Sequence, residues 1–221
     1  MNRARVRHLQ RSTLGENVYD TLRALILEHN LRPGERVNMD ALAREMAVSP
    51  TPVREALARL EADGLLRKQP LVGYTVSPLL TRAEFADLFE MRLLLECAAA
   101  RWAAERASPA ERAELDLCAA REVDRLDDDG QWRAAFTSLD AHFHDLVALA
   151  AGNPMLRDGI TRLHAHLHLH RLHFPLGDTE ITRREHQRIA AAVRSGDPHA
   201  AEVGMRLHLT RARERHLRAF D

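Results

Sequence analysis

Thirteen histidines in 221 residues are the first chemical signal of this chain, and most of them lie in its C-terminal two-thirds. Asp140 and His144 stand four residues apart, which puts both on one side of a helix. His186 and His208 follow on two later stretches of helical pattern. One carboxylate and three imidazoles drawn from three helices would suit one divalent cation, with a mixed donor set that accepts Zn, Ni, Mn or Fe. Spacing alone does not select these four. His142, His164, His166, His168, His170, His173 and His216 compete with them. On a helix His166, His170 and His173 would share one face, and His164 and His168 another. That run reads as mostly solvated histidines, with one face free to line a ligand cavity or a dimer seam.

A second chemistry sits near the N-terminus, in Val48-Ser49-Pro50-Thr51-Pro52-Val53-Arg54-Glu55-Ala56-Leu57. Ser49 suits a helix N-cap, and Pro50 then falls at the first helical position, where a missing N–H costs nothing. Pro52 lies in the same turn and again removes only an orphan donor. Thr51 and Arg54, three apart, share the face opposite Val53, Leu57 and Leu60. A guanidinium there can meet a guanine edge through two hydrogen bonds. Ser49, Thr51 and the free N–H groups of the first turn suit phosphate. Arg44 on the preceding helix and Arg67 and Lys68 beyond are candidate backbone contacts.

The elements that would position these groups follow from periodicity and punctuation. Apolar residues at Val18, Leu22, Leu25 and Ile26 predict a helix over 17–29, ended by Arg32-Pro33-Gly34. Asn38 can cap a short helix with Leu42 and Met46 inward. Ala47-Val48-Ser49 is a turn, and Asp63-Gly64 stops the next helix. Leu65–Lys68 and Tyr74–Val76 read as two strands around Gln69–Gly73. Three helices and a hairpin make a winged helix-turn-helix over residues 1–78, with Arg3, Arg5, Arg7 and Arg11 in what looks like a flexible N-terminal arm.

Beyond Ser77-Pro78 the pattern is helical throughout 79–221. Thr81 with Glu84, and Ser108 with Glu111, have capping-box spacing. Asp127–Gly130 closes the second helix of this part, and a third runs over 131–151. Asn153-Pro154 opens a fourth that runs to about His173. Asp178 or Thr179 starts a fifth, and Asp197-Pro198 a sixth. The fold class is therefore mainly α: a winged helix-turn-helix followed by an antiparallel six-helix bundle.

The residues Pro33-Gly34, Leu42-Ala43, Val48–Leu57, Leu60-Glu61 and Gly64-Leu65 resemble the GntR family of bacterial transcription regulators. The resemblance implies a homodimer in which each winged helix reads half of a short palindromic operator. Three positions depart from its usual pattern. Pro50 stands where Arg often follows the turn serine, Asp40 where some members are basic, and Val72-Gly73 at a wing tip that is often Arg-Gly. More of the reading then falls to Arg54.

Leu139-Asp140-Ala141-His142-Phe143-His144, Gly152-Asn153-Pro154, Glu185–Ile189 and Met205–Leu209 resemble the FCD ligand-binding domain in its six-helix, VanR-like form. In metal-binding members the Asp and three His at these positions hold one metal. The resemblance thus picks Asp140, His144, His186 and His208, with Zn the first expectation, and implies a small organic acid as effector. Arg92, in Glu90-Met91-Arg92-Leu93-Leu94-Leu95-Glu96, matches a recurrent Arg and Glu pair of the domain. It is a candidate carboxylate anchor, or else one half of a helix-surface pair with Glu96.

Composition bounds the rest. Net charge is zero, but residues 1–78 carry 12 basic against 9 acidic side chains. Two cysteines, Cys97 and Cys118, fall in apolar helical pattern and predict buried thiols in a reducing compartment. No apolar run has the length of a membrane span and no signal peptide is visible, so a cytoplasmic protein is expected. Two other function classes compete with an effector-controlled repressor. In one the metal is itself the signal. In the other His144-Asp145 serves a metal-dependent phosphohydrolase. That chemistry needs both members of the pair on the metal, and Asp145 lies about 100° further round the helix than His144.

Overall fold

The computed structural model describes residues 3–123, 131–172 and 179–221, with side chains from Leu14 onward. The Asp127–Gly130 stop, His173 and Asp178 lie outside the described residues. The chain divides into two compact units, Met1–Leu79 and Leu80–Asp221.

In the first unit α1 (Arg3–Leu27), α2 (Met39–Glu45) and α3 (Pro50–Ala62) precede a hairpin of β2 (Leu66–Gln69) and β3 (Gly73–Val76). The first helix reaches back to Arg3, across the stretch read from sequence as an arm. Residues 3–14 contain no Pro or Gly to stop it. A two-residue strand, β1 (Arg36–Val37), pairs antiparallel with β3 and completes a sheet of order β1-β3-β2. So short a strand leaves no alternation to read in sequence. Asn38 caps α2 by accepting from the amides of Asp40 and Ala41. Ser49 holds the N-cap position of α3 but its side chain makes no cap hydrogen bond, against expectation. Val53, Leu57 and Leu60 are wholly buried, together with Val18, Leu22 and Ile26 of α1. Gly64, at φ 73°, turns the chain from α3 into the hairpin, a conformation costly for residues with a Cβ.

The second unit is helical. It comprises α4 (Arg82–Arg106), α5 (Pro109–Ala120), α6 (Gln131–Ala150), α7 (Pro154–Arg162), α8 (Ala165–Leu172), α9 (Thr179–Ser195) and α10 (Pro198–Leu217), with a 3-10 turn at Arg218–Phe220. Both capping boxes form, Thr81 with Glu84 and Ser108 with Glu111. The fourth expected helix is in fact two, so the unit has seven α-helices among the described residues rather than six. The break falls at Leu163–His164, where His164 takes φ 44°. No Gly or Pro marks it in the sequence. It redirects α8, and the histidines of α8 show where to.

Helix α4 packs on α6, α7, α9 and α10, and α5 packs on α6 and α9. Alanines at 99, 100, 103 and 104 let these helices approach closely around Phe143, Val147, Ile189, Val193 and Met205. Cys97 and Cys118 are free and buried in the same core, and burial pushes both thiols up to about 11. At pH 8 the thiolate fraction is then on the order of a thousandth. Folded protein is expected to be inert to a thiol-directed disulfide reagent, with both cysteines reacting once it is unfolded. Prompt reaction of either in the folded state would contradict this packing.

Candidate functional site

In the first unit, Arg44, Ser49, Thr51, Arg54, Arg67 and Lys68 are all exposed. Burial of Pro52, Val53, Ala56, Leu57 and Leu60 fixes which side of α3 faces outward, and Thr51 and Arg54 lie on that side. Because Ser49 spends its hydroxyl on no cap bond, that group stands free beside the open amides of the first turn. The hairpin register sets Arg67 opposite Thr75 and Lys68 opposite Tyr74. Leu71, at the wing tip, is fully exposed.

The second unit gathers the histidines. Asp140 and His144 project from α6, His186 from α9 and His208 from α10, and all four are buried. His144, His186 and His208 each offer a ring nitrogen within 4.8 Å of one another, and so do the donor atoms of Asp140, His144 and His166. Asp140 Oδ1 lies 3.4 Å from His186 Nε2. Three of these inward atoms, Asp140 Oδ1, His144 Nε2 and His186 Nε2, are buried without a hydrogen-bond partner. Leaving such groups unsatisfied costs about 1–3 kcal/mol each. Lone pairs converging from α6 and α9, with the His208 ring of α10 beside them, are what a bound cation would satisfy.

Behind this centre stand carboxylates. His144 Nδ1 is bonded to Glu96 of α4, and Glu96 accepts from Arg92 Nε at 2.6 Å. His208 Nδ1 is 2.8 Å from Glu185, which also accepts from Arg215 at 3.0 Å. A carboxylate behind the imidazole fixes the ring so that Nε2 faces inward, as in carboxylate–histidine–metal arrangements. Phe143 stacks on His186 with centroids 4.0 Å apart and holds that ring in plane. Glu96 and Glu185 fall inside the stretches that carry the family resemblance, but nothing in the sequence shows that they back the histidines. Each stands near a candidate site residue, four residues after Arg92 and one before His186.

Arg92 is therefore not on a helix surface. It is 2% exposed and committed to Glu96. It borders a small cavity with His166, His170, Arg215 and His216. A larger cavity of about 170 Å³ reaches Asp140 and His186 past Trp132, Phe136, Leu139 and Arg183. Asp145 points elsewhere: both its oxygens accept from Arg157 at 2.7 Å, so it stands apart from the centre.

The histidine run also departs from expectation. His166 and His170 are buried, not solvated. His166 Nδ1 is 2.7 Å from Asp140 Oδ2. His170 Nε2 is 3.5 Å from the same oxygen, and its Nδ1 is 2.8 Å from Thr137. The break at His164 is what turns α8 to bring these rings inward.

Electrostatics prepares the set for a cation. Burial would raise Asp140, but His166, His186 and His170 outweigh it and hold the carboxyl well below its usual range. Burial lowers His144 to about 4 against the opposing pull of Glu96. Burial, reinforced by His208, puts His186 well below its ordinary value. Ionised carboxylate and neutral imidazoles are the forms that bind metal. The same shifts give a pH dependence to metal-free protein. His144 and His186 titrate near 6.5 when unfolded and lower when folded, so the unfolded chain binds more protons between these values. Stability should fall as pH drops from about 6.5 towards 4. Urea midpoints of chelated protein at pH 7.5 and pH 5 test this, and an equal or higher midpoint at pH 5 would contradict it.

Comparison with known proteins agrees with both halves. Residues 14–76 match the gntR family of bacterial regulatory proteins, and residues 87–211 match the FCD domain. The chain belongs to the GntR family of transcription regulators with an FCD domain. It is 28% identical over 192 residues to the HTH-type transcriptional regulator YdhC of Bacillus subtilis, covering 86% of this chain and 85% of that one. It is 29% identical over 203 residues to the HTH-type transcriptional repressor RspR of Escherichia coli, covering 89% and 86%. The fold of E. coli McbR/YncC matches with a TM-score of 0.72 at 20% identity, over 94% of this chain and 99% of that one. The chain is thus a DNA-binding transcriptional regulator, and its relatives are regulators, not enzymes. No helix among the described residues is long and apolar enough to cross a membrane.

Proposed function

We propose that this regulator is a homodimeric repressor. It holds one divalent metal per chain at Asp140, His144, His186 and His208, and releases its palindromic operator when a small organic acid binds at that metal. The observation that carries this reading is the set of buried, unpartnered donors Asp140 Oδ1, His144 Nε2 and His186 Nε2, backed by carboxylates on His144 and His208. His and carboxylate donors accept Zn, Ni, Mn or Fe, of which Zn is proposed first. The cavity of about 170 Å³ beside Asp140 and His186 gives a small acid room to reach the ion, and Arg183 on its wall is held by Glu180 at 2.7 Å.

At the operator, Arg54 reads a guanine edge and Thr51 and Ser49 meet the phosphates flanking it. Arg44, Arg67 and Lys68 hold the backbone. Repression follows the name of the relative RspR.

Native mass spectrometry of freshly purified protein should show a copurified small acid or, failing that, a shift on adding candidate carboxylates. The acid's affinity should collapse when the metal is chelated. Equal binding to metal-free protein would show that the ion does not anchor the effector.

A further inference from the structure

We propose that His166 is a fifth protein ligand to the ion, so that the centre comprises Asp140, His144, His166, His186 and His208. This rests on the metal reading above and extends it. His166 belongs to none of the motifs or helices that supply the other donors. It arrives on α8, an eight-residue helix set off from α7 by the left-handed backbone of His164.

Three observations place it there. First, Asp140, His144 and His166 each offer a donor within 4.8 Å of one another, and His144 is shared with the triad His144, His186 and His208. The two triads share the His144 ring, so His166 lies beside the expected ligands. Second, His166 Nδ1 and Asp140 Oδ2 are 2.7 Å apart. That spacing sets the His166 ring edge directly against the carboxylate whose other oxygen, Oδ1, is the unpartnered donor. Third, the His144 and His166 rings lie 4.7 Å apart, as close as His186 lies to His208 at 4.8 Å. His166 is thus packed into the same ring cluster as the expected ligands.

In the metal-free chain the Nδ1 proton of His166 bridges to Asp140. With an ion held by Asp140 through Oδ1, His166 would offer Nδ1 once its proton had passed to Nε2, and the ring would stay neutral. His170 takes a different part. Its Nδ1 is engaged by Thr137 and its Nε2 stands 3.5 Å behind Asp140 Oδ2, which makes it a positioning residue for the carboxylate.

The test uses the full chain loaded with cobalt(II), whose proton NMR spectrum shifts the exchangeable ring N–H of each coordinated imidazole far from the rest. Wild type should give four such signals. His166→Ala should give three, with cobalt affinity lowered about 10–100-fold, a range typical even of loss of an outer-shell partner. His166→Gln, which keeps much of the side-chain volume, should also give three and serves if the alanine variant does not fold. His170→Ala should retain four. Three signals in wild type and in both His166 variants, even with weakened affinity, would overturn the proposal and leave His166 as a positioning residue for Asp140. A wild-type chain that takes up no cobalt would overturn the metal reading as well, so the two failures are distinct.

Discussion

Arg54→Ala is expected to remove most of the distinction between operator and random DNA while leaving the protein folded. Arg54 is exposed on a helix whose opposite face is wholly buried. Its loss should therefore cost no core contact. A bidentate contact from guanidinium to guanine is worth about 1–3 kcal/mol of discrimination, and a dimer would lose it in both half-sites. Operator affinity should fall at least about 30-fold, the low end of a loss of about 2–6 kcal/mol over two half-sites, and affinity for mixed-sequence DNA far less, because one charge among several phosphate contacts is removed. The effect should exceed that of Lys68→Ala, which weakens binding to all sequences alike. Titration of a fluorescent operator and a scrambled duplex at fixed salt would measure both. Retained discrimination would move the reading to Thr51 or to the wing.

The second large effect concerns the metal. His208→Ala should lower zinc affinity by more than Glu185→Gln, which only loosens the ring of His208 and should cost about 10–100-fold. His208 is 3% exposed, its Nδ1 is held by Glu185, and its ring lies 4.8 Å from His186 and 5.2 Å from His144. Removing it takes away one donor and leaves Glu185 buried with Arg215 as a remaining partner at 3.0 Å. That ion pair limits the damage to the fold, so metal loss and unfolding should separate. Competition against a zinc chelator, with helicity followed in parallel, tests this. Zinc affinity equal to wild type in His208→Ala would pass the site to His166 and His170.

Much of this was legible in the residues. The helix-turn-helix could be read because caps, prolines and a period of three to four coincide there. Asn38, Pro50 and Gly64 each do one local job, and the structure finds α2, α3 and the hairpin where those jobs place them. The two capping boxes were legible for the same reason. What escaped depends on tertiary context. The break at His164 has no local breaker, because the run from Leu163 to Leu172 has acceptable helical propensity throughout. A left-handed residue there is sustained by the packing of Ala165 and Leu169 against Phe85 and Phe89. The inward turn of His166 and His170 follows from that break, which is why the run reads from sequence as mostly solvated. Arg92 is a related case. Spacing identifies its partner four residues on, but only the packed bundle shows that the pair is buried and supports His144.

On the function proposed above, the histidine cluster of the second unit is a metal centre. Elemental analysis of the full-length protein, purified without chelator or affinity histidines, tests it most directly. One equivalent of a divalent metal per chain, Zn foremost, lost in His186→Ala and His208→Ala while both remain helical, is the predicted result. A folded wild-type protein with only trace metal, which takes up none on addition of zinc at neutral pH, would contradict it.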